Sequence, residues 1–118
     1  MNSIQLTGRL TRDPELRSTR SGKSVVNMRL AVSRRDRDAA PVYVDVVAFD
    51  GLADICAEHL DKGRQVAVTG RLDYQEWEAR DGSGKRSKHQ VVASEVDFLA
   101  RPRPEGAQEE PASEPAAV

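Results

Sequence analysis

Hydrophobic side chains recur at every second position in four stretches of this sequence, and that spacing constrains the fold more than any other feature. The stretches are residues 4–10, 26–32, 42–49 and 66–72. Such alternation is typical of β-strands that bury one face and leave the other in water. A fifth stretch, residues 91–98, follows the turn signal Asp81-Gly82-Ser83-Gly84. We therefore predict that the fourth and fifth strands form a hairpin.

Between the third and fourth strands, the apolar spacing changes from two residues to three and four. The stripe with this spacing is Leu52, Ile55, Cys56, His59 and Leu60. It predicts one short amphipathic helix, with Asp50 as its N-cap and Gly63 as its stop signal. Three strands, a helix and two strands make up the five-stranded Greek-key OB-fold barrel. We therefore predict an all-β fold with one short helix and an extended β-hairpin arm.

The composition of the chain changes abruptly at Arg101. Four of the six prolines in the 118-residue chain lie beyond it, among Ala, Glu and Gln. A segment of this composition has too little apolar surface to bury. We expect one OB domain over residues 1–100 and a disordered Pro/Ala/Glu tail over residues 101–118.

Several function classes are disfavoured by what the sequence contains. One cysteine, Cys56, and two histidines are too few for a disulfide framework or a Cys/His zinc site. Asp45, Asp50 and Asp54 are scattered over strand and helix, and no nucleophile stands with a base. We therefore expect no metal, no cofactor and no catalysis. With no long apolar run and no signal peptide, the sequence predicts a cytoplasmic protein without a membrane partner.

Charge is segregated along the chain, although the formal net charge is only -1. Residues 9–37 hold nine basic side chains against three acidic ones, and residues 80–88 hold four against one. Residues 45–61 hold five acids and no Lys or Arg. Arg outnumbers Lys by 14 to 4, which favours forked contacts to phosphate and stacking on bases.

Aromatic side chains accompany this basic surface. Tyr43 and Phe49 fall on the strand face opposite the row of core valines, and Trp77 lies in the hairpin arm, before a basic tip. Aromatics on the polar side of a basic sheet are what base stacking requires. The alternatives are a second apolar layer for Tyr43 and Phe49, and for Trp77 a wedge against the barrel or a neighbouring subunit.

Several motifs in the chain resemble those of bacterial single-stranded DNA-binding proteins. They are IQLTGRLTRDPELR at residues 4–17, VNMRLAV at 26–32, the strand at 43–49, LDKG at 60–63 and VAVTGRL at 66–72. The resemblance covers residues 2–100. It implies an OB-fold homotetramer that binds single strands without sequence preference and protects them in DNA replication, repair or recombination. A cytoplasmic, nucleoid-associated protein is expected on the same ground.

The resemblance also implies which residues contact DNA. The family's stacking aromatics match Tyr43, Phe49 and Trp77, and its backbone-contacting or groove-lining positions match Arg29, Lys62 and Arg71. The basic segments add Arg34 and Arg35, in the loop between the second and third strands, and Lys85 and Arg86 at the hairpin tip.

Two departures from the family pattern qualify the resemblance. Where the family often has a stacking tryptophan, the loop after the second strand has Arg34, Arg35 and Arg37, which can replace it by charge and by guanidinium stacking. The C-terminus lacks the family's acidic tip ending in Pro-Phe. We therefore expect a short paralogue that does not recruit replication or repair proteins through this tip.

Two other functions fit the same residues. One is a primosomal-type accessory OB dimer. The other is an OB protein-interaction module, whose exposed aromatics dock a protein instead of DNA.

Overall fold

The computed structural model describes residues 1–36 and 39–99 of the chain, and the predicted strand pattern is confirmed within them. Arg37 and the predicted tail at 101–118 lie outside the described residues. The elements are β1 (Ile4–Leu10), β2 (Glu15–Ser18), β3 (Ser24–Val32), β4 (Val42–Phe49), α1 (Asp50–His59), β5 (Gln65–Glu78) and β6 (Lys85–Phe98).

The strands form one closed sheet in the order β1-β5-β6-β4-β3-β2. The barrel closes because β1 also pairs with β3, where Arg9 and Leu10 lie opposite Ala31 and Leu30. Neighbouring strands are antiparallel except β4 and β6, which are parallel. The predicted OB-fold barrel with one short helix is confirmed.

Closure brings two backbones together at Gly8. A Cβ atom at this position would lie 2.7 Å from the carbonyl oxygen of Ala31, closer than real side chains come. Only glycine fits, so the Gly predicted as a bend in the first strand is the point where β1 crosses from β5 toward β3.

The core lies inside the barrel and consists of side chains from alternate strand positions. It contains Leu10, Val26, Met28, Leu30, Val46, Ala48, Val66, Val68, Val91 and Ala93, with Ala53, Cys56 and Leu60 from α1 and the residue that follows it. Fully burying one Val, Leu or Met side chain stabilises the fold by about 1.5–3 kcal/mol. With few aromatics available, β-branched and Leu side chains supply most of this burial.

The structure corrects two details of the sequence interpretation. The polar loop predicted between the first two strands contains β2, an exposed edge strand that pairs with the start of β3. No apolar alternation marks β2 in the sequence, because Leu16 is the one large apolar residue in it.

The helix also differs from its prediction. Asp50 is its first residue, with a φ of 59°, and Phe49 is the N-cap and makes no side-chain capping bond. The helix ends at His59, before Gly63, and the Leu60 N–H donates to the Cys56 carbonyl. Ile55 and His59 are exposed, and Ala53 takes their place in the buried stripe. The chain passes from β4 into α1 without a loop, and this direct junction sets the rotation of the helix.

The predicted hairpin arm is confirmed. The β5–β6 ladder shifts register between Thr69 and Gly70 and then continues without a break to the pair Glu78 and Lys85. At the turn, Gly82 and Gly84 have positive φ angles of 78° and 115°. Hydrogen bonds from the side chain and backbone of Ser83 lower the pKa of Asp81 and help to fix this tip.

Candidate nucleic-acid interface

One strand face points away from the core along β3, β4, β6 and the arm, and we call it the outer strand face. Residues opposite each other in a ladder project to the same side, so the register defines its members. They are Val25, Asn27, Arg29 and Ala31 of β3, Tyr43, Asp45, Val47 and Phe49 of β4, Arg71, Asp73, Gln75 and Trp77 of β5, and Arg86, Lys88, Gln90 and Val92 of β6. The register therefore continues from the barrel into the arm, and Val47, Gln90 and Val92, at 5%, 7% and 8% exposed, are the buried members of this face.

The predicted stacking aromatics lie on this face with their rings accessible. Tyr43 is 54% exposed, Phe49 43% and Trp77 46%. The placement of Tyr43 and Phe49 opposite the core valines is confirmed, and no second apolar layer covers them within the described residues. Each of the three residues is therefore about half exposed to solvent.

An ionic cluster occupies the centre of the outer strand face. The guanidinium of Arg29 donates from Nη1 to Oδ1 of Asp45 at 3.1 Å, and Nζ of Lys88 lies 4.0 Å from Oδ2. The same guanidinium lies over the Tyr43 ring, 5.2 Å from its centroid. A cation so placed gains from the negative face of the ring and extends its planar surface.

A polar groove of about 370 Å³ begins at this cluster and runs to the edge strand β2. Its lining residues are Arg12, Glu15, Arg17, Asn27, Met28, Arg29, Asp45 and Lys88. Four cationic side chains face two carboxylates, so the groove is net positive although the whole chain is not. Its charge suits an anionic ligand.

The predicted phosphate-contacting residues lie in several parts of the structure. Arg29, Arg71 and Arg86 lie on the outer strand face, and Arg34 and Arg35 are exposed in the loop between β3 and β4. Two more residues lie elsewhere, and the structure does not bring them onto this face. Lys62 is in the turn after α1, where its backbone N–H donates to Asp13, and Lys85 is on the other side of the arm, opposite Glu78.

Sequence reasoning missed several residues of the groove. Lys88 was visible only as part of a basic run, yet it falls at every second position with Arg86 and Gln90 and so belongs to the outer strand face. That register could have revealed it. Arg12 and Arg17 could not be found in this way, because their place depends on β2.

On the other side of the arm, the described residues leave an apolar surface partly exposed, with Val42 and Leu72 exposed and Ile4, Leu6 and Val44 partly buried against the core. It surrounds a cavity of about 330 Å³ and includes Ile4 and Leu6 of β1, Val42 and Val44 of β4, and Leu72 of β5. We call these five residues the apolar patch. Next along the arm, the rings of Tyr74 and His89 meet at 5.0 Å, and Tyr74 donates to Glu76 at 3.0 Å.

Among residues 1–36 and 39–99, no three His, Cys, Asp or Glu side chains gather where they could hold a metal ion. Burial raises the pKa of Cys56 to about 11, so its thiol stays protonated and unreactive near neutral pH. In the same part of the chain, no helix has the length and apolar character to cross a membrane.

A closed OB barrel with exposed aromatics and a positive groove on one face defines the class of OB-fold oligonucleotide-binding proteins. Comparison with known proteins identifies one family within this class. Residues 1–99 match the model of the Single-strand binding protein family. The chain belongs to this family.

Individual relatives agree with the family match. Single-stranded DNA-binding protein 1 of Chlorobaculum tepidum is 37% identical over 105 residues, which are 84% of this chain and 65% of that protein. The single-stranded DNA-binding protein of Borreliella burgdorferi is also 37% identical, over 85% of this chain and 70% of its own length. Single-stranded DNA-binding protein 1 of Synechocystis is 35% identical over 87% of each chain.

Proposed function

We propose that this chain binds single-stranded DNA without sequence preference and covers it during replication, repair or recombination. The observation that carries the proposal is the outer strand face, where Tyr43, Phe49 and Trp77 are each about half exposed beside arginine and lysine. Every base has a flat π-face, so stacking on such rings tolerates any sequence. The relatives named above carry this ligand in their names.

Backbone contacts complete the proposed mode of binding. Arg29, Arg71, Arg86 and Lys88 lie in line with the aromatics, so phosphates would follow the cations while bases turn toward the rings. Arg34 and Arg35 would extend the path at the β3–β4 loop, and Lys62 and Lys85 would add contacts from the turn after α1 and from the arm tip. The chain would act by binding alone, without catalysis, and would work at the nucleoid in the cytoplasm.

Self-association as a homotetramer is part of the proposal. Among the described residues, one edge of β1 pairs with β5 along residues 4–9, and the other edge pairs with β3 only at Arg9 and Leu10. A strand edge with free N–H and C=O groups invites pairing with a second copy. The apolar patch supplies a surface that such an assembly would bury, with Leu72 45% and Val42 40% exposed. Light scattering separates a tetramer from the accessory-dimer alternative.

A titration with labelled oligo-dT, followed by fluorescence anisotropy, tests the stacking residues. We expect Phe49→Ala and Trp77→Ala each to weaken binding by about 1–3 kcal/mol, the range for one base stacked on one ring. Tyr74→Ala is the matched control, because Tyr74 is 51% exposed but lies on the other side of the arm. Equal, small losses in all three variants would favour the protein-interaction module.

Salt dependence tests the phosphate contacts. Each phosphate neutralised on a single strand changes the slope of log K against log salt by roughly -0.7. Charge reversal at Arg34 and Arg35 should therefore flatten the slope by about 1.4. A slope near zero in the unmodified protein would contradict the phosphate contacts and favour the protein-interaction module. A parallel titration with oligo-U compares the affinity for RNA with that for DNA.

A further inference from the structure

A carboxylate lies at the centre of the outer strand face, where a polyanion is proposed to bind. Asp45 stands between Arg29 of β3 and Lys88 of β6, and each of its oxygens faces a different cation, at 3.1 Å and 4.0 Å. The three side chains are partly exposed, at 30% for Asp45 and 41% for each cation. A ligand on this face therefore meets an anion already paired with the cations it needs.

The same carboxylate is linked to a proposed stacking residue through Arg29. Because the guanidinium both pairs with Asp45 and lies 5.2 Å from the Tyr43 ring centroid, Asp45 holds Arg29 against one face of that ring. A base that is to stack on this face of Tyr43 must stack on the guanidinium or displace it. The ion pair therefore affects access to the Tyr43 ring as well as the charge of the outer strand face.

Phosphate and carboxylate oxygens compete for the same donors. Both accept forked hydrogen bonds from a guanidinium and pair with an ammonium group. Exposed ion pairs are weak, since water and salt screen them, so the exchange of one acceptor for the other is easy. Asp45 does not have to move for phosphate to replace it, because Arg29 and Lys88 have long side chains that can swing outward.

We propose that Asp45 is an internal competitor of the DNA backbone, which occupies Arg29 and Lys88 in the free protein and is exchanged for phosphate when a strand binds. This inference rests on the proposed function. Its consequence is that Asp45 lowers the affinity for single strands and flattens the salt dependence, because its charge already offsets one of the two positive charges of Arg29 and Lys88. A strand held in this way is released more readily than the number of cations on the face suggests.

The test compares Asp45→Asn with Asp54→Asn in oligo-dT titrations at several salt concentrations. The asparagine keeps the shape of Asp45 and removes its charge, and Asp54→Asn removes the same charge from an exposed position on α1. We expect Asp45→Asn to bind roughly three- to tenfold more tightly at about 50 mM salt, with a slope steeper by about 0.7. Asp54→Asn should stay within about twofold of the unmodified protein.

A second background shows whether the effect acts through the two cations. When Arg29→Gln and Lys88→Gln are both present, adding Asp45→Asn should change affinity no more than Asp54→Asn does. A gain that persists in this background at the size seen in the unmodified protein would overturn the proposal in favour of a bulk charge effect. Weaker binding by Asp45→Asn would overturn it in favour of a carboxylate that positions Arg29 for DNA.

The remaining outcomes separate this inference from the proposed function. If the unmodified protein binds oligo-dT and Asp45→Asn binds equally well, the competitor is refuted and DNA binding stands. If the unmodified protein does not bind, both are refuted. Thermal melts confirm that each variant is folded, and Asp45→Ser replaces Asp45→Asn in the comparison if the latter does not fold.

Discussion

The ribbon formed by β5 and β6 has different surroundings on the two sides of Gly70. Before it, Val66 and Val68 of β5 are buried, and the apolar side chains opposite them, Phe98 and Val96, pack against the core. Beyond it the backbone pairing continues and Val91 and Val92 of β6 are still buried beside Gly70, but Leu72, Tyr74 and Trp77 of β5 are 45–51% exposed. Both halves have the same hydrogen-bonded ladder, so burial of side chains is what distinguishes them.

This difference shows how a strand pair can serve stability and binding at once. An isolated two-stranded ribbon is marginally stable in water, but the arm continues strands that the barrel already holds. Its side chains are therefore available for a ligand. We expect substitutions in the barrel half to change mainly the free energy of unfolding, and substitutions in the arm to change mainly binding.

The largest effect is expected when the same Leu→Ala substitution is made in the barrel core, at Leu30 of β3, and in the arm, at Leu72 of β5. Leu30→Ala removes a fully buried side chain and should lower the free energy of unfolding by about 2–5 kcal/mol. Leu72→Ala, in the arm, should cost less than about 1 kcal/mol, because nearly half of Leu72 is already in water. Urea denaturation measures both. A loss at Leu72 that grows with protein concentration would show that an assembly buries it.

Stability should be sensitive to a single methyl group at Gly70, where the barrel half of the ribbon meets the arm. A Cβ on Gly70 would overlap the carbonyl oxygen of Val92, so Gly70→Ala must push β5 and β6 apart and should cost about 3 kcal/mol. Gly51→Ala is the control, since a Cβ at Gly51 meets no atom within 4 Å and alanine favours the helix. Thermal melts of the two variants should shift in opposite directions. Equal shifts would contradict a tight junction at Gly70.

The pH dependence of the unfolding free energy tests the buried interior through Cys56. Burial raises the pKa of Cys56 from its usual value of 9.0 to about 11, so the folded state favours the protonated thiol. The stabilisation is fully present below pH 9 and is lost as the pH rises toward 11, by about 2–3 kcal/mol in all. Other groups also titrate in this range, so the unfolding free energy of Cys56→Ala serves as the reference. If both proteins lose stability equally, the thiol is not the cause.

The smallest expected change is in the stability of the arm variant Trp77→Ala. Trp77 is 46% exposed on the outer strand face, so its loss should change the free energy of unfolding by no more than about 0.5 kcal/mol. The same variant is expected to lose DNA affinity, as proposed above. A melting temperature lowered as far as in Leu30→Ala would instead mean that Trp77 packs within an assembly.

The fold was largely predictable because its strands carry strong local signals. The β4 strand was predicted at its observed bounds, since Val42, Val44 and Val46 alternate with polar or aromatic neighbours. By contrast, β2 has no apolar alternation, and it forms because β3 offers it a partner. The rotation of α1 depends on how the chain leaves β4, which no spacing of apolar residues encodes.

The candidate site was predictable in its residue types but not in its contacts. Period-two alternation was enough to place Tyr43 and Phe49 on the polar side. The Arg29–Asp45–Lys88 cluster joins three strands, and the parallel pairing of β4 with β6 brings its second cation, Lys88, to Asp45. Such a pairing depends on the closure of the barrel, which the sequence does not show. From the sequence alone, Asp45 is therefore one of the five acids of residues 45–61.

The register of the arm also restricts how its length can change. Side chains alternate between two sides, so deletion of one cross-strand pair, such as Gln75 with Lys88, would carry Trp77 to the side of Tyr74. Deleting two consecutive pairs, four residues in all, would return it to the side of Arg29. Arms that keep an aromatic residue on the same side as the groove should therefore differ in length by multiples of four residues. After an insertion of any other size, the side chains at the tip would no longer share a face with the groove.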